Sequence, residues 1–341
     1  MQGGKNLIWR GGGEYSGQEE IAMNRLHPIR CLLLGWVLAA GAGCGPAAPC
    51  GVPKHDTIVE AAASGDLADV QLHLQLGMFV DARGPEGRTA LMAAAENGHL
   101  AVVQFLTGKL AGLNARSYDG RTALMAAANN GHLEVVRHLV EKGAGVNLRG
   151  DDGYTPLCFA AENGHLEVAR YLVEKKADVN AKGAANYTPL IFAAEKGHVE
   201  IVRLLAENGA DINAQGAVTY TPLIFAAQEG RLEVVRYLVE QGVDVNAIGD
   251  DYYTALVFAS EKGHLEVVRL LAEHGAKVNA KTADGRTALW AARARNHADV
   301  VEYLLGQGAI EAEPERLQGV RRSGGAGAKG HRKEAKAGGG S

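Results

Sequence analysis

Apolar and polar positions recur along this chain with a fixed period of 33 residues. In one clear copy, Leu190 is followed by Ala193 and Ala194, which is the spacing of one face of a short helix. A second run with helical spacing follows a glycine, as from Leu133 to Val140. A period of this length is typical of stacked structural repeats. The pattern therefore predicts an all-α repeat solenoid of helix–turn–helix units joined by loops.

The recurring threonine is predicted to be the N-cap of each short helix, because a threonine side chain at that position accepts a hydrogen bond from a free backbone amide. Pro or Ala follows it, and Pro is well tolerated at the first helical position. A glycine closes the helix because glycine adopts the left-handed conformation at little cost. The threonines are spaced by 33 residues without insertion or deletion: Thr89, Thr122, Thr155, Thr188, Thr221, Thr254 and Thr287.

Thr-Pro-Leu, Gly-His and Gly-Ala-Asp-Val-Asn-Ala, at fixed offsets, make the chain resemble the ankyrin repeat. The resemblance covers about residues 55–310 and implies about eight stacked repeats with projecting loops. The first repeat, from Asp56, lacks the threonine anchor and is interpreted as an N-terminal cap, and the repeat from Thr287 as a C-terminal cap. Such caps shield the ends of a repeat stack. A loosened second-helix end is expected near Leu110, where Thr-Gly-Lys-Leu-Ala displaces the usual Gly-Ala.

The segment before the repeats is interpreted as an export signal, predicted over residues 23–43. Basic residues precede a run of ten apolar residues, which is shorter than the ~20 needed to span a bilayer but suits a signal peptide. Cys44 then resembles the lipidated cysteine of a bacterial lipoprotein. Cleavage after Ala42, which would release a soluble protein, and a buried apolar segment are the alternatives.

Two further segments flank this signal. Residues 1–22 are glycine-rich and aperiodic, so they are predicted to be a non-native or disordered extension, with translation starting at Met23. Residues 44–54 contain three prolines and are predicted to be an extended tether.

The net charge of −4 hides an asymmetry along the chain. Residues 316–341 carry seven basic side chains and one acidic, whereas residues 55–315 have a net charge of −12. An acidic repeat body argues against nucleic acid as the main partner, because phosphate contacts dominate that affinity. Residues 311–341 are predicted to be a disordered basic tail, either solvated or touching anionic lipid or nucleic acid.

Six histidines share one offset after the short helix, which raises the question of a metal or acid–base array. Stacked helices lie ~8–10 Å apart, too far for neighbouring copies to share an ion. They are therefore interpreted as turn residues that satisfy local backbone groups. We predict no metal site and no cofactor, since no nucleophile–base pair, phosphate loop or paired carboxylate departs from the repeat. These histidines are His99, His132, His165, His198, His264 and His297.

The repeats differ at two positions that switch together. The residue before the threonine is Arg88, Arg121 or Arg286 in three repeats, and Ala93, Ala126 or Ala291 then lies four positions after the threonine. In the middle four repeats both positions are aromatic. The tyrosines are Tyr154, Tyr187, Tyr220 and Tyr253, and the phenylalanines are Phe159, Phe192, Phe225 and Phe258.

Two interpretations of this switch stay open. In ankyrin proteins the residue before the threonine faces the concave surface, where partners commonly bind, and aromatic rings are enriched at interfaces. The tyrosines would then form a binding stripe flanked by Glu162, Glu195, Glu229 and Glu261. Alternatively, four repeats arose by recent duplication, and the rings pack between helices and loops. We expect the phenylalanines in the core and the tyrosines on the exposed face.

The predicted function is a non-catalytic protein–protein interaction scaffold in the bacterial cell envelope, monomeric and anchored to the membrane through lipidated Cys44. The expected partner is an unidentified protein or peptide on the concave loop and short-helix face. A secreted effector that uses the same surface inside a host cell is the alternative. An enzyme is the third class, and no site for one is found.

Overall fold

The computed structural model describes residues 51–311, which form two compact bodies divided between Gly145 and Val146. The predicted extension, signal peptide, Cys44 and most of the tether, together with residues 312–341 of the basic tail, lie outside the described residues. Among residues 51–311, no helix has both the length and the hydropathy for a membrane crossing.

The N-terminal body holds three helix pairs, each a short helix followed by a longer one. The helices are α1 (Ile58–Ala63), α2 (Leu67–Gln75), α3 (Ala90–Glu96), α4 (Leu100–Gly108), α5 (Ala123–Asn129) and α6 (Leu133–Glu141). These pairs are numbered repeats 1 to 3.

The C-terminal body holds repeats 4 to 8 in the same arrangement. Its helices are α7 (Pro156–Glu162), α8 (Leu166–Glu174), α9 (Pro189–Lys196), α10 (Val199–Glu207), α11 (Pro222–Gln228), α12 (Leu232–Glu240), α13 (Ala255–Lys262), α14 (Leu265–Glu273), α15 (Ala288–Ala294) and α16 (Ala298–Gly306). The eight pairs of the described region match the predicted count and register.

Within each body the short helices pack on short helices and the second helices on second helices. The short helices carry fully buried leucine and alanine at the predicted positions, as at Leu190, Ala193 and Ala194. Small alanines let neighbouring helices approach closely, so the core between repeats is narrow and well filled. Each body is therefore a two-layered stack with the loops at the edge of the short-helix layer.

The threonines cap the short helices as predicted, with one exception and one shift. Thr188 Oγ1 accepts from the amide of Ile191 at 3.3 Å, and the other repeats repeat this bond. Thr155 makes no such bond and instead contacts the thiol of Cys158. In repeat 1, Thr57 caps α1 one position later than the period predicts, accepting from Glu60 at 3.1 Å. The first repeat therefore does have a threonine anchor.

The expected loosening near Leu110 is wrong. Helix α4 ends 33 residues before α6 ends, in the same register, and the amide of Ala111 donates to the carbonyl of Leu106 at 3.1 Å. Leu110 itself takes the left-handed conformation with φ +62° and is exposed. A residue other than glycine there strains the backbone without moving the helix end. Lys176 replaces the glycine of repeat 4 in the same way, with φ +66°.

A buried carboxylate holds the start of the N-terminal body. Asp69 on α2 accepts hydrogen bonds from the amides of Lys54 and His55, both at 2.9 Å, and from the His55 ring at 2.8 Å. The His73 ring lies beside them and bonds the carbonyl of His55. Lys54, at the end of the predicted tether, is thereby fixed to the first repeat.

Candidate functional site

Each tyrosine of the aromatic stripe ends a hairpin-like loop, and the loop fixes its backbone. Four glycine amides donate to the tyrosine carbonyls, each at 2.9 Å: Gly150 to Tyr154, Gly183 to Tyr187, Gly216 to Tyr220 and Gly249 to Tyr253. The next residue is the capping threonine, so the tyrosine lies where the loop joins the short helix. Its ring position is therefore set by elements on both sides.

The tyrosine and phenylalanine rings form one continuous ladder through repeats 4 to 7. The Tyr187 ring lies 5.1 Å from Phe192 of its own repeat and 5.2 Å from Phe225 of the next, between centroids. Tyr154 and Tyr220 make the same two kinds of contact, at 5.0–6.2 Å. Rings at these separations attract one another beyond their buried area. The two positions switch together because each ring packs on the other.

A glycine of the following loop completes the packing of Tyr154 and of Tyr220. A methyl group at Gly183 would lie 2.0 Å from Cδ1 of Tyr154, and one at Gly249 would lie 2.1 Å from the same atom of Tyr220. The rings of Tyr154 and Tyr220 thus pack against two phenylalanine rings and against the backbone of a glycine. Sequence reasoning had not connected these glycines with the tyrosines.

Burial separates the roles of the two aromatic positions. Phe159, Phe192 and Phe225 are buried core residues, and Phe258 at the end of the ladder is partly buried. All four tyrosines are partly buried, which leaves part of each one open to solvent. Burial, followed by the charge of Glu195, raises the pKa of Tyr187 to about 12. Its hydroxyl therefore stays protonated at neutral pH.

Three of the four predicted glutamates flank the ladder. Glu162, Glu195 and Glu261 occupy one position near the C-terminal end of the short helix, and each is partly buried. Glu229 lies one residue beyond this position and is exposed, and Gln228 takes the place of the carboxylate in repeat 6. The predicted set therefore includes Glu229 in the wrong register. The amide of Gln228 donates to Glu229 at 3.1 Å.

The three flanking carboxylates differ in their partners. Glu261 forms an ion pair with Arg295 at 2.6 Å, and Glu195 pairs with its neighbour Lys196 at 2.9 Å. Glu162 has no ion pair within 4.0 Å among residues 51–311. The carboxylate beside the ladder is thus least neutralised in repeat 4.

Family comparison explains this architecture. A family model described as ankyrin repeats (3 copies) matches residues 57–150, 110–183, 142–216, 182–249 and 247–315. The chain belongs to the ankyrin-repeat family. It is also similar to the crystal structure of the human ASB11 ankyrin repeat domain, with 28% identity and a TM-score of 0.61. That match covers 64% of this chain and 98% of the other. No curated protein sequence matches the chain.

The repeated histidines link neighbouring ankyrin repeats. His198 Nε2 bonds the carbonyl of Glu162 at 3.1 Å, and His132 bonds the carbonyl of Glu96 at 2.9 Å. Arg231 replaces the histidine in repeat 6 and donates to the carbonyl of Glu195. The expectation of a local backbone partner is corrected: the carbonyl lies 36 residues earlier, at the end of the preceding short helix. The histidine side chain stabilises the stack there.

A second set of links was missed by sequence reasoning. Asn180 accepts from the amide of Asp211 at 2.8 Å and donates to the carbonyl of Gly209 at 2.9 Å, both in the next ankyrin repeat. Asn246 and Asn279 make equivalent pairs of bonds. The recurring Asp-Val-Asn-Ala sequence was the available signal. These asparagines hold the loops in register, and so they position the tyrosines that the loops carry.

Reactive chemistry is sparse in the described region. Among residues 51–311, no group of three or more His, Cys, Asp or Glu side chains is placed to hold a metal ion. Cys158 is 1% exposed, and burial raises the pKa of its thiol above the ordinary value. A buried neutral thiol is a poor nucleophile. The arrangement is suited to contact with another molecule through rings and carboxylates.

Proposed function

We propose that this ankyrin-repeat chain is a non-catalytic scaffold that binds a partner protein on the face formed by its loops and short helices. Ankyrin repeats are a protein-interaction module, and the tyrosine ladder is the feature that departs from the plain repeat. One observation carries the proposal: four preorganised tyrosines keep part of their surface open beside partly buried carboxylates. Rings held in place lose little entropy on binding.

A photo-crosslinking experiment tests this face. A photoreactive phenylalanine analogue is introduced at Asn163 or Lys196, which are exposed beside the ladder, or at Glu167 or Glu200, which are exposed on the second helices of the same repeats. The proposal predicts that the first two positions crosslink one and the same protein and that the other two do not. Equal crosslinking from the second helices would contradict it.

Tyrosine variants provide the second arm of this test. Tyr187→Ala and Tyr220→Ala are expected to abolish capture of the crosslinked protein while circular dichroism shows that the repeats stay folded. Unchanged capture by folded variants would remove the ladder from the interface. Turnover of any substrate by the purified repeats would overturn the non-catalytic assignment.

The proposed location is the bacterial cell envelope, with the chain lipidated at Cys44 and monomeric. The support is the sequence before the repeats, in which basic residues, a run of ten apolar residues and small residues precede Cys44. Incorporation of labelled palmitate, lost in Cys44→Ala, is the expected result. A released chain without label would instead favour the secreted effector.

A further inference from the structure

Repeats 2, 3 and 8, the arginine repeats, have before the threonine a cation that repeats 4 to 7, the tyrosine repeats, do not have at that position. In repeat 2, Arg88 precedes the threonine and forms an ion pair with Glu96, at the end of the same short helix. Arg121 and Arg286, at the same position in repeats 3 and 8, pair with Asp119 at 3.1 Å and Asp284 at 2.8 Å. In each arginine repeat, the guanidinium before the threonine therefore has a carboxylate partner.

Repeats 4 and 5 keep the carboxylate and lose the cation. Glu162 and Glu195 occupy the position of Glu96, but Tyr154 and Tyr187 stand where Arg88 would be. Glu162 has no ion pair among the described residues, and the one ion pair of Glu195 there is with Lys196, the next residue in the sequence. Each of these repeats thus offers a carboxylate beside an aromatic ring, with no guanidinium of its own at the position before the threonine.

A guanidinium group suits such a site for two reasons. It donates hydrogen bonds to a carboxylate in a planar fork, and it stacks on aromatic faces. The C-terminal body already contains this stacking, with Arg286 4.5 Å above Trp290 and Arg203 4.9 Å above Tyr237. Residues 146–311 have a net charge of −7, which adds long-range attraction for a cationic segment.

We propose that Tyr154, Glu162, Tyr187 and Glu195 bind arginine side chains from an extended segment of the partner protein. This inference rests on the proposed function and names the chemistry of the partner. Neighbouring helices in a stack lie ~8–10 Å apart, and an extended segment in the polyproline II conformation, with three residues per turn and a rise of about 3.1 Å, returns a side chain to the same face every ~9 Å. Arginines three residues apart therefore match the spacing of the two carboxylates.

The chain's own basic tail is the other source of arginine, and the ladder carboxylate nearest to its attachment point is already engaged. The described chain ends after α16 in repeat 8, and Glu162 is four repeats away, about 40 Å at the same helix spacing. The carboxylate of repeat 7, which lies nearer to that end, is already paired with Arg295. An extended chain of the ~21 residues from 311 to Arg332 could span that distance, so we assign the site to a partner on the grounds of the proposed function, and the tail variants below decide between the two sources.

Binding of a defined peptide to the full chain tests the inference. The probe is a fluorescent peptide of four Arg-Gly-Gly units, and its control replaces each arginine by citrulline, which has the same shape without the charge. The arginine peptide is expected to bind at least about tenfold more tightly, since hydrogen bonds between charged groups are the stronger ones. Equal binding of the two peptides would overturn the proposal.

Paired variants locate the binding. The double substitution Glu162→Gln with Glu195→Gln is expected to weaken binding of the arginine peptide about tenfold or more. The matched control, Glu167→Gln with Glu200→Gln, removes the same charge from α8 and α10 and is expected to change binding less than twofold. Equal losses in both pairs would indicate diffuse attraction and contradict the assignment. Circular dichroism confirms that every variant is folded.

Two further outcomes separate the remaining possibilities. If the peptide binds only after Arg321, Arg322 and Arg332 of the tail are changed to Gln, the tail occupies the site and the assignment to a partner is wrong. If the crosslinked protein depends on Tyr187 but not on Glu162 and Glu195, the inference fails while the proposed function stands. Only the control pair, Glu167→Gln with Glu200→Gln, is expected to leave binding nearly unchanged.

Discussion

Gly183 lies directly against the ring of Tyr154, so a Gly183→Ala substitution tests the packing of the ladder. The new Cβ would lie 2.0 Å from Cδ1 and 2.3 Å from Cε1 of the tyrosine. Carbon atoms in favourable contact are about 3.5–4.0 Å apart, so the ring must move by at least about 1.5 Å. Phe192, 5.0 Å away between centroids, limits that movement.

The expected cost follows from these contacts. Overpacking of a filled site costs about 1–3 kcal/mol, and disturbing one ring pair adds about 0.5–1.5 kcal/mol. We therefore expect Gly183→Ala to lower the free energy of unfolding by roughly 2–4 kcal/mol. The backbone itself accepts alanine, because φ at Gly183 is −95°.

The decisive comparison is the same substitution in a Tyr154→Ala background. Without the ring there is no clash, and Gly→Ala at an unstrained position stabilises by about 0.4–1 kcal/mol through the unfolded chain. The effect of Gly183→Ala is thus expected to reverse sign. Urea unfolding of the four proteins, followed by circular dichroism, measures the coupling. Gly306→Ala, with open space around it, is the control. An equal cost in both backgrounds would refute the packing described here.

Three other predictions concern stability and reactivity. Lys176→Gly relieves a left-handed φ of +66° and is expected to stabilise the C-terminal body by about 1 kcal/mol in urea unfolding; a loss of stability would contradict this. Burial alone would raise the pKa of Asp69, but hydrogen bonds from Lys54 and His55 lower it below 3.8. The stabilising effect of the Asp69 carboxylate is therefore complete above that pH and is lost as the pH falls through the folded pKa. Asp69→Asn should make the free energy of unfolding depend less on pH in this acid range. An unchanged pH dependence would count against this stabilising role of Asp69. Cys158 should resist a thiol reagent in the native chain, as read by peptide mapping, and react only on unfolding; rapid native labelling would contradict its burial.

The helices and their ends could be predicted because the same local sequence signals recur in each repeat. Thr188 caps, Leu190 and Ala194 face the core, and Gly197 with φ +88° ends the helix. Those rules act within a few residues, so a linear pattern reveals them. The register of the eight helix pairs followed from the 33-residue period.

Contacts between repeats could not be predicted in the same way. The pattern shows that a histidine recurs after each short helix, but not that His198 reaches a carbonyl 36 residues earlier. It shows that Tyr187 and Phe192 occur together, but not that the tyrosine also packs on Phe225. Such contacts depend on how one repeat is placed on the next, and that offset is not written in any single repeat.

Two local errors have equally physical causes. Leu110 in place of glycine was taken to loosen a helix end, yet the bonds of the repeat hold the leucine in the left-handed conformation. Glu229 was assigned to the acidic flank, although the repeat register places Gln228 there. In both cases the repeat register decided the structure more strongly than the type of residue at one position.

The central claim is that the ladder and its carboxylates are the partner-binding face. Hydrogen–deuterium exchange of the full chain, alone and bound to the protein captured by crosslinking, tests it most directly. The account predicts slower exchange on binding in residues 150–162 and 183–195, which carry the loops and short helices of repeats 4 and 5, and unchanged exchange in α8 and α10. Protection confined to α8 and α10, or to the N-terminal body, would contradict it.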